Sequence, residues 1–111
     1  MKNNTAIEAL AALAQQHRLA VFRLLVQTGP EGRAAGAIAE ALSLPASSLS
    51  FHLAHLNRAG LIVQRREGRL LIYSADFGAM NALVGFLTEK CCGGRDCSPA
   101  AAPRKQKRRA A

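Results

Sequence analysis

All three cysteines of the chain fall in one short stretch, Lys90-Cys91-Cys92-Gly93-Gly94-Arg95-Asp96-Cys97. Adjacent cysteines seldom all serve packing, and the intervening glycines let the segment turn back on itself. Three thiolates can then converge on one soft ion. Lys90 and Arg95 beside them favour the thiolate form. A structural zinc ion wants four ligands. Cys91, Cys92 and Cys97 supply three, and Asp96 could be the fourth, since no histidine follows His55. A redox switch and incidental thiols are the competing readings. A Cys91–Cys92 disulfide would be strained, and cytosolic thiols are usually kept reduced.

A second set of chemistry-bearing residues lies on a helical repeat. After the break Ser43-Leu44-Pro45, where proline suits a helix start and not its interior, Leu49, Leu53 and Leu56 recur at i, i+4 and i+7. Opposite that stripe stand Ser47, Phe51, Ala54 and Arg58, with Ser48 and His55 at its edge. Ser47, Ser48 and Ser50 in the first turns suit phosphates and base edges alike. They also suit helix starts as such. An outward Phe51 could meet a thymine methyl, or pack on whatever follows. His52 lies between the two faces, as a base reader or as a satisfied, half-buried histidine. His17 and His55 show no ligand spacing.

The elements that must position these residues are short. Before the break, Ile38, Ala39 and Leu42 share one face of a first helix, with Glu40 outward. Two short helices joined by a tight turn describe a helix-turn-helix. Gly60 closes the second helix. Leu61 to Ser74 then hold two β-rich runs around Glu67-Gly68-Arg69, which predicts a hairpin. Arg65, Arg66 and Arg69 at its tip are phosphate or minor-groove candidates, or ordinary solvated charges.

In this order the chain resembles the ArsR/SmtB family of metal-responsive repressors, over roughly residues 5 to 90. The carrying residues are Ser47-Ser48-Leu49-Ser50-Phe51-His52-Leu53, Leu56, Ala59-Gly60-Leu61-Ile62 and Gly68-Arg69. The resemblance implies a mainly α fold with a small β-hairpin, a winged helix-turn-helix. It implies a homodimer joined by the first and last helices, with two recognition helices on double-stranded operator DNA. Residues 1–92 would form this domain, and 93–111 a cysteine-containing loop and disordered basic tail.

The remaining segments agree with that plan. Thr5-Ala6-Ile7-Glu8 fits a capping box, and Ile7, Leu10 and Leu13 give a first helix an apolar stripe richer than it needs. A second helix is predicted from about His17 to Thr28, stopped by Gly29-Pro30, with Glu31-Gly32-Arg33 as a loop. Asp76 can cap a last helix starting at Phe77. Its stripe is Met80, Leu83, Val84 and Leu87, with Phe86 alongside, and Gly78, Ala79 and Gly85 would let another helix approach. Surplus apolar faces at both ends suit a dimer; closing the monomer's own core is the plainer alternative.

At 111 residues this is one domain of modest core. No apolar run is long enough to span a bilayer and the N-terminus is no signal peptide, so a cytoplasmic protein is expected. The net charge of +8 points to an anionic partner. Arg104, Lys105, Lys107, Arg108 and Arg109 near the C-terminus carry five of those charges, and the remainder holds only +3. Pro, Ser and Ala dominate around them, so Ser98–Ala111 is expected to be disordered.

The resemblance also bears on the ligand. An adjacent cysteine pair plus one more cysteine after the last helix resembles the arsenite-responsive branch, where trivalent arsenic takes three sulfurs. As(III) or Sb(III) would then be the inducer, with no organic cofactor. Other thiophilic metals, organic arsenicals and thiol oxidation are the alternatives. Two known arrangements are missing: Gly32-Arg33-Ala34-Ala35-Gly36 holds no cysteine, and the last helix has Asp76 but no histidine. A thiol enzyme would want its nucleophile at a helix N-terminus, whereas these cysteines follow a C-terminus, where the dipole disfavours an anion.

Overall fold

A computed structural model describes residues 1–94. Helix α1 (Asn3–Leu13) leads into α2 (Gln16–Thr28), a two-residue strand β1 (Arg33–Ala34), α3 (Ala35–Leu42) and α4 (Ala46–Arg58). The hairpin β2 (Ile62–Glu67) and β3 (Leu70–Ala75) follows, then α5 (Phe77–Leu87) and a 3-10 turn at Cys91–Gly94. The sheet runs β1-β3-β2, antiparallel throughout. Register places Glu67 opposite Leu70, so Gly68-Arg69 alone form the wing's turn. The expectation of a tail at Ser98–Ala111 lies outside the described residues.

The core is built from the periodic apolar positions. Val21 and Leu25 of α2, Ile38 of α3, Leu49, Leu53 and Leu56 of α4, and Leu61 and Ile62 at the wing's root are all buried. Each such side chain contributes about 1.5–3 kcal/mol relative to exposure. Their convergence fixes α4 against α2 and α3 while leaving its opposite face to solvent. Ser43, at φ 54, makes the left-handed step that ends α3, and Pro45 precedes α4. Two segments thus meet at a sharp turn, and the expected helix-turn-helix is present.

The helix ends show both agreement and correction. Asp76 caps α5 as expected, its Oδ1 accepting from the Ala79 N–H at 3.0 Å. The capping box at Thr5–Glu8 does not form. Helix α1 starts at Asn3 without a side-chain cap, because its exposed first turn leaves those N–H groups open to solvent. The unanticipated cap is Gln15, whose Oε1 accepts from the Arg18 N–H at 2.9 Å. Arg18 Nε also donates to the Ala12 carbonyl at 2.7 Å and ties the end of α1 to α2.

The faces of the terminal helices also differ from the simple stripe. In α1 it is Ala6, Ala9 and Ala12 that pack inward, whereas Ile7 and Leu10 are 55% and 41% exposed. Small residues let α1 lie close to the body, so the larger ones point out. In α5 the stripe splits: Leu83 is buried, Met80 and Phe86 are half-buried, and Val84 and Leu87 are exposed. Glu31-Gly32 is a loop as expected, but Arg33 joins β1, opposite Tyr73 of β3. Two residues are too few for a strand period to show in sequence.

Candidate DNA-binding face and cysteine turn

Burial of Leu49, Leu53 and Leu56 decides what α4 offers to a partner. Ser47, Ser50, Phe51, Ala54 and Arg58 are exposed, and Ser48 is half-buried. Phe51 is 61% exposed and makes T-shaped ring contacts with His52 and His55, at centroid distances of 5.9 and 6.5 Å. No side chain caps α4, so its leading N–H groups have no side-chain acceptor, and Ser47 beside them is exposed. The partial positive charge of a helix N-terminus attracts phosphate.

His52 does not belong to that face. It is 9% exposed and stacks obliquely on His17 of α2, with ring centroids 5.6 Å apart. The leucine spacing puts residue 52 at the stripe's edge, and the approach of α2 turns that edge into core. Burial, then the charges of Arg18, His17 and His55, hold its pKa below the ordinary histidine value. His55 is half-buried and lowered likewise, by desolvation and then by Arg18 and Arg58. Both Nδ1 atoms are buried without a hydrogen-bond partner among the described residues. His55 lines a cavity with Glu8 and Ala11 of α1. His52 is thus buried against α2, and His55 stays partly open to solvent.

The wing arginines divide by role. Arg65 is committed: its Nε meets Glu67 Oε2 at 2.8 Å, and its Nη atoms donate to the Glu31 and Pro30 carbonyls at 2.8 and 3.4 Å. It braces β2 against the loop before β1. Arg66 and Arg69 are exposed, Arg69 in the turn itself. Sequence reading missed Asn57, Gln64 and Tyr73. With Ser50 and Arg58 they line an open groove of about 350 Å³ between α4 and the wing. Nothing in local periodicity signals a groove built from three separate elements.

The cysteine pair follows α5 by a few residues. Lys90 and Cys92 both take φ 55, and this turn brings the Cys91 and Cys92 sulfurs to 3.8 Å. Both residues are exposed. Cys91 is in disulfide form, and Cys92 is a free thiol. Cys97 lies outside the described residues. Among the described residues no three ligand-type side chains converge to hold a metal ion. No helix there is long and apolar enough to cross a membrane.

An exposed recognition helix, a basic hairpin beside it and a core that locks the two together define a winged helix-turn-helix DNA-binding protein. Residues 13–65 match the family model of a helix-turn-helix domain. The chain is 32% identical over 87 residues to the HTH-type transcriptional regulator YgaV of Escherichia coli, covering 78% of this chain and 86% of that one. The solved structure of HlyU from Vibrio cholerae, a protein named as a transcriptional activator, is 30% identical. It superposes with a TM-score of 0.65 over 83% of this chain and 99% of that one. The homodimeric winged helix-turn-helix domain of Mb0332 from Mycobacterium bovis, a candidate ArsR-family regulator, is 28% identical. Its TM-score is 0.62, over 86% and 88% of the two chains. The chain belongs to the ArsR family of transcriptional regulators, and it is a DNA-binding regulator, not an enzyme.

Proposed function

We propose that this regulator is a homodimeric repressor, released from its operator when trivalent arsenic or antimony binds Cys91, Cys92 and Cys97. The observation that carries the reading is the cysteine turn, with two exposed sulfurs 3.8 Å apart. Two sulfurs about 2.3 Å from one tetrahedral metal ion stand about as far apart. In the reduced chain such a pair can grip one thiophilic ion, and Cys97 would add the third sulfur. The turn follows α5, whose Val84 and Leu87 are 55% and 58% exposed. These residues, with Ile7 and Leu10 of α1, form the apolar surface that a second copy would cover. An ion that draws the turn together shifts the end of α5, and with it the spacing of the two recognition helices. It does so only through its different affinity for the two forms.

The test is operator binding, on a site selected from random duplexes, titrated with arsenite, antimonite, zinc and cadmium under reducing conditions. Release by arsenite or antimonite is expected, blunted in each single Cys→Ser variant because a hydroxyl is a poor ligand for a soft ion. A full arsenite response in Cys91→Ser or Cys92→Ser would overturn the sensing site. A reporter gene behind the operator separates repression from activation. Thiol oxidation is the second reading, favoured by the disulfide form of Cys91. It requires release by peroxide and return of binding on reduction, with arsenite inert.

A further inference from the structure

The groove between α4 and the wing is a polar site to which the DNA-binding role assigns no part. Ser50, Asn57 and Arg58 reach it from α4, Gln64 from β2 and Tyr73 from β3. Gln64 and Tyr73 are direct partners in the antiparallel ladder, so they stand side by side on one face of the hairpin. Asn57 Nδ2 donates to Gln64 Oε1 at 3.4 Å and links helix to wing across the floor. No acidic side chain lines the groove. Arg58, exposed, also borders the cavity that Glu8 lines, but it forms no salt bridge among the described residues. Every polar side chain there can donate a hydrogen bond: one guanidinium, two amides and two hydroxyls. Four of these groups also accept hydrogen bonds, but with one positive charge and no carboxylate the site suits an oxyanion.

We propose that this groove seats one backbone phosphodiester of the operator, with Arg58 as its charge partner and Gln64 and Tyr73 as neutral donors. The inference rests on operator binding by α4 and the wing. A duplex held by α4 in one groove and by the hairpin in the next must carry the intervening strand over the space between them. A phosphate clamped there touches helix and wing at once and sets the register of both on the DNA. It therefore positions the protein without reading sequence. Asn57, through its bond to Gln64, is a positioning residue that holds the wing's donor in place.

The test combines the full-length chain with a set of operators in which single phosphates are replaced, one at a time, by neutral methylphosphonate. Arg58→Gln should flatten the salt dependence, lowering the slope of log K against log salt by about 0.9 for each protomer and so about 1.8 for the dimer. Gln64→Ala and Tyr73→Phe should weaken operator and random duplexes alike, by about tenfold, with the slope unchanged. Neutralising the seated phosphate should weaken the wild type more than it weakens Arg58→Gln, and this coupling should occur at one position in each half-site. Additive losses at every phosphate scanned would overturn the seat while leaving operator binding standing. A wild-type chain that binds no duplex would overturn both. Inorganic phosphate competing better than chloride at equal ionic strength, with no coupled position on the DNA, would also overturn the proposal, because the groove would then serve a free anion.

Discussion

Replacing Gly32 with alanine tests how firmly the wing is seated on the body. Gly32 holds φ +70, and a Cβ there would run into the Tyr73 carbonyl oxygen and lie 2.9 Å from Ile72 Cγ2. Both obstacles belong to β3, the central strand, which is also bonded to β2 and cannot step aside alone. Left-handed backbone costs an L-residue about 1–2 kcal/mol. Forcing a methyl into filled space adds about 1–3 kcal/mol, so the expected loss is about 3 kcal/mol. Gly68, in the wing's turn, is the control. Its φ is +64, but a methyl there would meet no atom within 4 Å, so only the backbone penalty of about 1 kcal/mol applies. Urea unfolding should be compared at one protein concentration, because self-association would shift the midpoints. Gly32→Ala should lose about 2 kcal/mol more than Gly68→Ala, as the two backbone and packing penalties require. It should also weaken DNA binding, since the Pro30 and Glu31 carbonyls beside it hold Arg65. Equal losses for the two variants would refute the argument, showing that the loop moves aside at no cost.

Three further outcomes follow from other parts of the fold. Because its pKa is held below the ordinary value, His52 stays neutral in the folded protein while the unfolded chain takes up a proton. Stability should therefore be flat above about pH 7 and fall as pH drops below about 6.5; denaturation of wild type and His52→Gln across that range checks it, and identical slopes would count against the buried assignment. Asp76→Ala removes the cap on α5 and should cost about 1 kcal/mol in a thermal melt, whereas loss of less than a few tenths would mean that the Ala79 N–H finds another acceptor. Val84→Glu with Leu87→Glu places charges on a face already exposed, so the monomer should remain folded by circular dichroism; sedimentation should show loss of a dimer, and an unchanged sedimentation coefficient would remove this face from the interface.

The local features were legible in the sequence because they depend on angles along one chain segment. Leucines at 49, 53 and 56 can share a face only on a helix, so burying them exposes Ser47, Phe51 and Arg58 in the same step. A glycine between β-rich runs fixed the hairpin near Gly68, and an aspartate before an apolar stripe fixed the start of α5. Cys91 and Cys92 are neighbours in the sequence, but the turn that sets their sulfurs 3.8 Å apart is a property of the folded chain. Long-range partners decided everything else. Periodicity could not say that α1 would turn its alanines inward and leave Ile7 and Leu10 outside, since that depends on how near α1 must lie to the body. Nor could it say that His17, thirty-five residues away in the chain, would cover His52 and bury it. Arg65 reads as a free cation until the loop at Pro30 and Glu31 folds back to accept its hydrogen bonds. Asn57, Gln64 and Tyr73 are ordinary residues on three separate elements, and they form a site only because packing of the core brings the helix and hairpin side by side. Short-range angles set which way each side chain leaves its own element; only the packed core determines what stands opposite it.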